Sequence, residues 1–537
     1  MQTPSDHIST GEQRARPRKR TFPTLLSFFI FEVVFVLFSY MYNYHEVLSY
    51  RPDGVHQWRQ TDCLSFTDRL YRGESNFWSP AIAFLGHEGS GKTVSEFPIL
   101  YWMNAIIWKI TGEQEWSYRL MVLLLFHIGL FALFKTAEGI LKDSIWAFIT
   151  TFGLFTSPFL AYYANNFLAD IPAFSFVLMA WYFVYRFYKK RQVSTLYIIG
   201  ILFLLAGLLK ATAALSLIAL MLSFLLRAGP IRLMTWQTED TWKPYAKRIW
   251  TIFGLVCMVW IAWYSYARSY NQDHNKDIFL IGILPIWEVT YAQANEILFH
   301  VGNTWWHHFF RPILHAVLWG LFLIMLVSLR GVPAFFRSIL LMVSLGFVSF
   351  FLLYFQVFDQ HDYYALNLLI LYPCIVIGFL LYVKQKRKIV FRALPIQFLS
   401  VLLLIHCADY TRRRMLSRYE MNPITHTGVF FEIEPWLRAQ GVQRTDKIIS
   451  IPDKSPNISL YLSGSIGWSQ FADFKAAEDI DRKIAAGAKY LMYQSSVGQL
   501  PDNLWQPYVG DIVGKYQDSK YPDQIVYLWR LQSSESN

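Results

Sequence analysis

Long apolar runs constrain the fold of this chain more than any other feature of its sequence. Several runs contain about 20 mainly apolar residues, which as helices cross a hydrocarbon core about 30 Å thick. Only 16% of the 537 residues are charged, whereas soluble globular chains carry roughly a quarter. The runs predict a multi-pass α-helical membrane protein with about eleven spans, at 23–43, 118–136, 144–163, 171–188, 195–209, 211–226, 249–267, 312–329, 338–356, 365–383 and 390–408.

Basic residues at the ends of these runs predict the orientation of the chain. Lysine and arginine concentrate in the cytoplasmic loops of membrane proteins, and the tail 1–22 carries five of them just before the first run. Later basic segments follow at 189–191, 227–248, 330–337 and 384–388, as a cytoplasmic N-terminus requires. The net charge of +11 is therefore a topology signal, and no nucleic-acid partner is predicted.

The composition changes at about residue 411, after the last apolar run. With an odd number of spans, 411–537 is predicted to lie outside the membrane, whereas 23–410 forms the membrane domain. Short runs typical of strands alternate here with helical runs, which predicts a small extracytoplasmic α/β domain. The predicted strands are 447–451, 489–493 and 524–529, and the predicted helices are 436–441 and 476–488.

The segment from Gly86 to Thr93 matches the phosphate-loop pattern of nucleotide-binding proteins. It lies in the first outer loop, 44–117, on the side predicted to face away from cytoplasmic ATP. No doubly wound domain surrounds it. We therefore interpret it as a flexible loop over an active site, where glycine supplies backbone freedom.

Cofactor chemistry has no sequence signature in this chain. The cysteines are scattered, and they show neither a disulfide framework nor the spacing of metal ligands. They are Cys63, Cys257, Cys374 and Cys407. No cofactor is predicted, and no metal site is indicated.

Ionisable residues gather at the predicted outer ends of the spans. Charged groups at a bilayer edge are costly unless they pair, face water or bind a ligand. The densest group lies in 51–62, and a solvated loop held by Arg–Asp pairing is the alternative interpretation. The full set is Asp53, His56, Arg59, Asp62, Glu96, Asp170, Lys210, His307, His308, Arg311, Asp359, His361 and Asp362.

Several members of this set also have structural interpretations. Lys210 can extend its amine to the interface, and Asp170 can cap the helix that follows it. His307 and His308 lie among aromatic residues typical of a membrane interface. Taken together, however, the set offers carboxylates for a base, cations for a phosphate and aromatic rings for a sugar face.

Glycosyl transfer from a polyprenyl-phosphate sugar needs this combination on the outer face without ATP. The lipid tail lies in the bilayer, and the phosphate leaving group is stabilised by lysine or arginine. A carboxylate at the membrane edge deprotonates the acceptor hydroxyl during attack on the anomeric carbon. A transporter or flippase of lipid-linked glycans is the alternative function, although it predicts ionisable groups near mid-bilayer. A non-catalytic scaffold is a third.

The order and spacing of these motifs resemble the glycosyltransferase C superfamily. The resemblance is to its bacterial branch, related to protein O-mannosyltransferases and lipid A aminoarabinose transferases, and it spreads over most of 23–410. It implies a bacterial inner-membrane enzyme with a polyprenyl-phosphate donor. The motifs are His56-x-Trp-Arg-Gln-x-Asp62, Asn76-Phe-x-x-Pro80, Glu96-Phe-Pro-Ile-Leu-Tyr101, Arg119, Asp170, Gly207-Leu-Leu-Lys210-Ala-Thr212, Trp263-Tyr264 and His361-Asp-Tyr-Tyr364.

The resemblance also implies roles for single residues. An acidic residue of the first outer loop is the catalytic base, which transfers to Asp62 or Asp53, and Asp170 matches the acidic residue of the second loop. Lys210 is expected to contact the lipid phosphate. Further substrate contacts are expected from His56, Arg59, Glu96, His361, Asp362 and Tyr363.

The chain departs from the family pattern at two points. Glu96-Phe97-Pro98 stands where the aminoarabinose branch has Lys-Pro-Pro, so Arg59 is expected to replace one phosphate contact. The Asp-Glu pair that usually opens the first loop is absent, which leaves the base open between two aspartates. Asp62 shares a helix face with Arg59, whereas Asp53 lies in a turn of the kind that caps its own backbone. We therefore expect Asp62 to be the base.

Overall fold

The computed structural model describes residues 21–228, 243–274, 278–279, 282–420, 427–472, 474, 476–495 and 504–533. The basic tail up to residue 20 and most of the predicted basic loop 227–248 lie outside these residues. Helices occupy most of the chain up to residue 420, and a five-stranded sheet follows. The predicted fold class is confirmed.

The helices of the membrane domain follow the apolar runs closely. They are α1 Thr24–Met41, α2 Tyr44–Val47, α3 Gln57–Tyr71, α4 Ile99–Thr111, α5 Glu115–Leu141, α6 Ser144–Leu154, α7 Pro158–Ala164, α8 Asp170–Lys190, α9 Ser194–Leu209, α10 Ala214–Ala228, α11 Ala246–Asp273, α12 Tyr291–His300, α13 Trp306–Phe309, α14 Pro312–Val327, α15 Ala334–Leu353, α16 Leu371–Lys386, α17 Lys388–Phe391 and α18 Leu394–Glu420. A 3₁₀ segment, Asp362–Ile370, leads into α16.

Seven of the described helical segments are long and apolar enough to cross a membrane, or nine if each of two bent pairs is one span. The remaining two of the eleven predicted runs correspond to the shorter helices α9 and α10. The pair α6–α7 bends by 79°, and the pair that ends in α14 bends by 93°. The predicted span 144–163 is therefore not one straight helix. Ser157 caps a new helix there, with Pro158 at its first position.

We call the part of the chain from residue 427 onward, which contains the sheet, the outer domain, after its predicted position outside the membrane. Helix α18 continues to Glu420, so the predicted boundary near residue 411 falls inside this helix. The strands of the outer domain are β1 Lys447–Ile451, β2 Ile466–Ser469, β3 Ala488–Ser495, β4 Val509–Gln517 and β5 Ile525–Leu531, and its helices are α19 Ile433–Ala439, α20 Ile458–Leu462 and α21 Ala477–Ala485. The strand order is β2-β1-β3-β5-β4. Strand β1 pairs in parallel with β2 and β3, whereas β5 pairs antiparallel with β3 and β4. The sequence predicted β1, β3 and β5 and missed β2 and β4.

The first outer loop adds a short extended segment beside β2, at the edge of this sheet. The amide of Leu85 donates to the carbonyl of Gly467 at 2.8 Å, and the Gly467 amide donates to Ala83 at 3.1 Å. Glycine is required at 467, because a Cβ there would lie 1.8 Å from the carbonyl oxygen of Ile448. The first outer loop and the outer domain are therefore packed as one unit.

The phosphate-loop match has a different structure from a phosphate loop. The segment folds back on itself, so that Ala81 bridges Lys92 and the Gly91 amide donates to Leu85. The next helix, α4, begins only at Ile99, six residues after Thr93. A phosphate loop needs a helix N-terminus directly after its lysine, and this segment lacks one.

Orientation gives a first testable prediction. His87 is exposed in the first outer loop, and Gln385 is exposed at the opposite ends of the spans. In intact spheroplasts, a membrane-impermeant maleimide should label His87→Cys and leave Gln385→Cys unlabelled until the membrane is opened. The unsubstituted chain, whose Cys63, Cys374 and Cys407 are buried, is the control. Labelling of His87→Cys only after permeabilisation would place the loop in the cytoplasm and contradict the predicted orientation.

Candidate active site

Helix α3 places the first polar residues of the site. It is rich in polar residues, yet most of them are buried between the membrane domain and the outer domain. Arg59 and Asp62 lie one turn apart, with Nη1 3.5 Å from Oδ2. Buried charges are tolerated only when they are paired and hydrogen-bonded. The partners of these two therefore define the site.

Two cations and three carboxylates meet at this point, and we call Arg59, Asp62, Glu96, Asp170 and Lys210 the acid–base cluster. The Arg59 guanidinium forms an ion pair with Glu96. The Lys210 Nζ lies 3.2 Å from Asp170 Oδ1 and 4.0 Å from Glu96 Oε1. The sequence placed all five at outer ends of spans, and the structure brings them into one continuous network.

Lys210 lies where α9 ends and the chain becomes extended. Its Nζ is 4.8 Å from the ring centre of Tyr363 and 4.6 Å from that of Tyr364. The end of α9 packs closely against α11, because a Cβ on Gly207 would lie 2.1 Å from the Trp260 ring. Lys210 therefore points into the protein, and the structural alternative of a lysine extending to the interface does not describe it.

Asp170 begins α8 and is almost fully buried. Neither carboxylate oxygen accepts a hydrogen bond from the described residues, and Lys210 is its ion-pair partner. The capping role that the sequence offered as an alternative is therefore not observed. The carboxylate instead balances a buried cation.

Glu96 is held by three hydroxyl or guanidinium groups. Tyr101 donates to Oε2 at 2.6 Å and Ser95 at 2.5 Å, in addition to the Arg59 ion pair. Burial opposes ionisation of Glu96, but Arg59 and Lys210 outweigh it and lower the pKa of Glu96 to about 2. Glu96 is therefore charged at every physiological pH.

Asp62 titrates differently from Glu96, although both are buried. Burial raises the pKa of Asp62 to about 6, with Arg59 and a hydrogen bond from Asn457 acting in the opposite direction. A carboxylate with a pKa near the working pH is suited to accepting a proton. Asp62 is therefore half-protonated near pH 6, whereas Glu96 stays ionised there.

A second group of polar residues adjoins the first, and we call His56, Tyr163, Asp362 and Arg418 the histidine cluster. Asp362 accepts a hydrogen bond from Tyr163 at 2.7 Å, pairs with Arg418 at 2.6 Å and lies 3.0 Å from His56 Nε2. Tyr363 lies between the two clusters, because its ring packs against His56 on one side and faces Lys210 on the other. Burial lowers the pKa of His361, beside this cluster, to about 4, so it is neutral.

The other predicted residues lie apart from the acid–base cluster. Asp53 Oδ1 accepts from the Gly54 amide at 2.7 Å, which is the turn geometry predicted for it. Asp359 pairs with His300, and Arg311 donates to the carbonyl of His406. No described group of three or more His, Cys, Asp or Glu side chains is arranged to hold a metal ion.

The Arg418–Asp362 pair gives a prediction about stability. Both side chains are buried, and removing one partner of a buried pair typically costs about 3–5 kcal/mol. Arg418→Met should therefore lower the melting temperature of the purified protein in detergent. The double variant Arg418→Met, Asp362→Asn should regain most of the loss, because the amide keeps the size of the carboxylate without its charge. Equal melting temperatures for the wild type and Arg418→Met would contradict the pairing.

The fold of the chain matches those of several solved structures. The chain is similar along 94% of its length to 98% of ArnT from Cupriavidus metallidurans bound to undecaprenyl phosphate, with TM-score 0.60 and 12% identity. The chain has the glycosyltransferase C fold. The apo state of the same ArnT matches 93% of this chain and 97% of its own, with TM-score 0.59 and 12% identity. An oligosaccharyltransferase from Archaeoglobus fulgidus, tethered with an acceptor peptide, matches 94% of this chain and 74% of its own, with TM-score 0.50 and 12% identity.

Sequence comparison agrees with this fold for part of the chain. Residues 95–263, roughly a third of the protein, match the family described as dolichyl-phosphate-mannose-protein mannosyltransferase. That stretch contains Glu96, Asp170 and Lys210 of the acid–base cluster. A search of the curated proteins finds no match. The resemblance predicted from the motifs is confirmed, and at 12% identity the solved structures show the fold alone.

Proposed function

We propose that the chain transfers a sugar, with inversion, from a polyprenyl-phosphate donor to an acceptor hydroxyl at the outer face of a bacterial inner membrane. One observation supports this most strongly. Asp62 Oδ2 and Arg59 Nη1 are 3.5 Å apart, both buried, and neither has a hydrogen-bond partner among the described residues. A carboxylate oxygen and a guanidinium nitrogen thus stand side by side, each with capacity for one more contact.

The donor phosphate would bind the cations of the acid–base cluster. Lys210 and Arg59 are both positively charged, and Glu96 holds them within reach of each other. Phosphate oxygens form charge-assisted hydrogen bonds with such groups. The donor tail would remain in the bilayer. As the bond from the anomeric carbon to the phosphate oxygen breaks, its electron pair leaves with the phosphate, which these cations stabilise.

Asp62 would act as the base. Its Oδ2 accepts the proton of the acceptor hydroxyl while the hydroxyl oxygen forms a bond to the anomeric carbon. Attack opposite to the departing phosphate inverts the anomeric configuration in a single step. No nucleotide is required, because the donor's phosphate bond supplies the driving force.

Exposure indicates the direction of approach to this site. The side chains of Arg59, Glu96 and Lys210 are 10–11% exposed, whereas that of Asp62 is 0% exposed. A substrate therefore meets the cations first and reaches Oδ2 past Arg59. Arg59 would therefore shift as the substrates enter.

A donor labelled separately on its lipid and on its sugar tests this proposal. In proteoliposomes that contain the protein, the donor and a bacterial membrane extract as the source of acceptors, a transferase separates the two labels. A flippase would move both labels across the bilayer together, and a scaffold would do neither. Label separation that depends on the protein supports the proposal, and intact donor after prolonged incubation contradicts it.

The nature of the acceptor follows from the same assay. The sugar label is expected on a glycan, a lipid or a protein, each of which separates differently after extraction. Hexosyl and pentosyl donors are compared directly by their rates of label separation.

A further inference from the structure

We propose that Asn457, in the outer domain, positions the base Asp62, so that the outer domain forms part of the active site. This inference rests on the proposed function, because it assigns Asn457 a role through Asp62. Asn457 lies about four hundred residues away in the chain, and nothing in its local sequence marks it as functional. Its role follows from the contacts that its side-chain amide makes.

The Asn457 amide makes three contacts, and all of its partners belong to the membrane domain or its first outer loop. Its Nδ2 donates to Asp62 Oδ1 at 2.7 Å. Its Oδ1 accepts from the Phe84 amide at 3.1 Å and from Ser65 Oγ at 3.3 Å. The backbone amide of Phe84 is only a donor, which fixes the orientation of the Asn457 side chain. Nδ2 must therefore face Asp62.

A rigid turn holds Asn457 in place. Asp453 Oδ1 accepts from the amide and the hydroxyl of Ser455, at 2.8 and 2.7 Å. Asp453 Oδ2 accepts from the amide and the hydroxyl of Ser459, at 2.8 and 2.6 Å. All four bonds lie within the turn that leads into α20, and Asp453 is buried. A fully bonded buried network of this kind defines one conformation.

The first outer loop connects to the same point from the other side. Ser65 of α3 accepts from the Ala83 amide at 2.7 Å, and Leu85 continues as the extended segment beside β2. Trp468 and Lys483 of the outer domain both donate to the carbonyl of Gly86, at 2.7 and 3.2 Å. Helix α3, the first outer loop and the outer domain therefore converge at Asn457.

This arrangement directs one oxygen of Asp62 toward the reaction. Asn457 occupies Oδ1, and Oδ2 is the oxygen that faces Arg59 Nη1. Without the amide, the carboxyl group is free to rotate and Oδ2 loses its fixed direction. The hydrogen bond also favours the charged carboxylate, so its removal should raise the pKa of Asp62.

The test compares Asn457→Ala with Ser65→Ala, a matched control that alters the same network without touching Asp62. A hydrogen bond to a charged group accounts for a tenfold to hundredfold effect, as an order of magnitude. We expect Asn457→Ala to lower kcat by about that factor, to change the donor KM by less than about twofold, and to move the acid limb of the pH profile upward from its wild-type position near pH 6. Ser65→Ala should keep the wild-type profile. Asn457→Ser, whose shorter side chain does not reach Asp62, should behave like Asn457→Ala and serves if Asn457→Ala does not fold.

An infrared measurement separates failure of this inference from failure of the proposed function. Difference spectra of the purified protein report protonation of the Asp62 carboxyl, identified by its disappearance in Asp62→Asn, and they need no turnover. A higher protonation midpoint in Asn457→Ala or Asn457→Ser than in the wild type supports the positioning role even if no sugar is transferred. An unchanged midpoint and an unchanged pH profile would overturn it. The absence of transfer by the wild type would instead contradict the proposed function.

Discussion

Replacing Asp62 by asparagine should lower sugar transfer by about 10²–10⁴-fold, which is the usual contribution of a positioned general base. The amide has nearly the same shape as the carboxylate, and its oxygen can still accept from Asn457. Insertion and donor binding should therefore be retained. The loss should appear in kcat, measured on purified protein at matched amounts, while the donor KM stays close to the wild-type value.

The matched control for this substitution is Asp53→Asn. Asp53 belongs to the same loop, but its Oδ1 binds the Gly54 amide within a turn, so its replacement should reduce turnover only modestly or lower expression. The reverse order of severity would move the base to Asp53. Full activity in both variants would show that neither aspartate of this loop is the catalytic base.

Lys210→Met should weaken donor use by roughly tenfold to a hundredfold, because a charge-assisted contact is worth about 1.5–3 kcal/mol. The effect should appear mainly in the donor KM. Lys210→Arg should recover part of it, since the charge is retained and the geometry is not. Wild-type donor affinity in Lys210→Met would return this residue to a structural role.

The Lys210→Met variant needs a control, because removing the Lys210 amine leaves the buried Asp170 carboxylate without its cation and can destabilise the protein. The double variant Lys210→Met, Asp170→Asn removes both charges of the pair, whose atoms are 3.2 Å apart. If instability caused the defect, the double variant would regain donor use together with its melting temperature. If Lys210 binds phosphate, the double variant should regain stability and still use the donor poorly.

The sequence predicted the helices well because the length of an apolar run determines whether it crosses a bilayer. It also predicted that Arg59 and Asp62 share a helix face, since local spacing fixes that relation. It predicted the bent pairs poorly. The bend at Ser157 and Pro158 interrupts a run that remains apolar throughout, so composition alone does not reveal it.

The sequence predicted which residues belong to the candidate site, but it did not predict how they contact one another. Glu96, Asp170 and Lys210 stood out because ionisable groups at the edge of a bilayer are costly unless they pair, face water or bind a ligand. Their contacts depend on how α8 and α9 pack against the first outer loop, which no local pattern encodes. Arg418 was missed because it follows the last apolar run among other basic residues, and Asn457 was missed because a single polar residue in a soluble segment is unremarkable.

An intramembrane contact was also missed. Glu32 of α1 lies 3.0 Å from His127 Nε2 of α5, with both side chains partly exposed. Both residues lie within helices, away from the outer ends of the spans where the predicted site residues gather. This pair joins the first two long helices and belongs to neither cluster.

The position of the donor phosphate tests the central claim most directly. A cryo-electron microscopy structure of the protein with a polyprenyl phosphate should place a phosphate oxygen within about 3 Å of Lys210 Nζ, with a second oxygen facing Arg59. The anomeric carbon of a bound donor should then lie on the side of Asp62 Oδ2. A phosphate bound instead at the histidine cluster, beyond the reach of Lys210, would contradict the assignment of the acid–base cluster as the site of transfer.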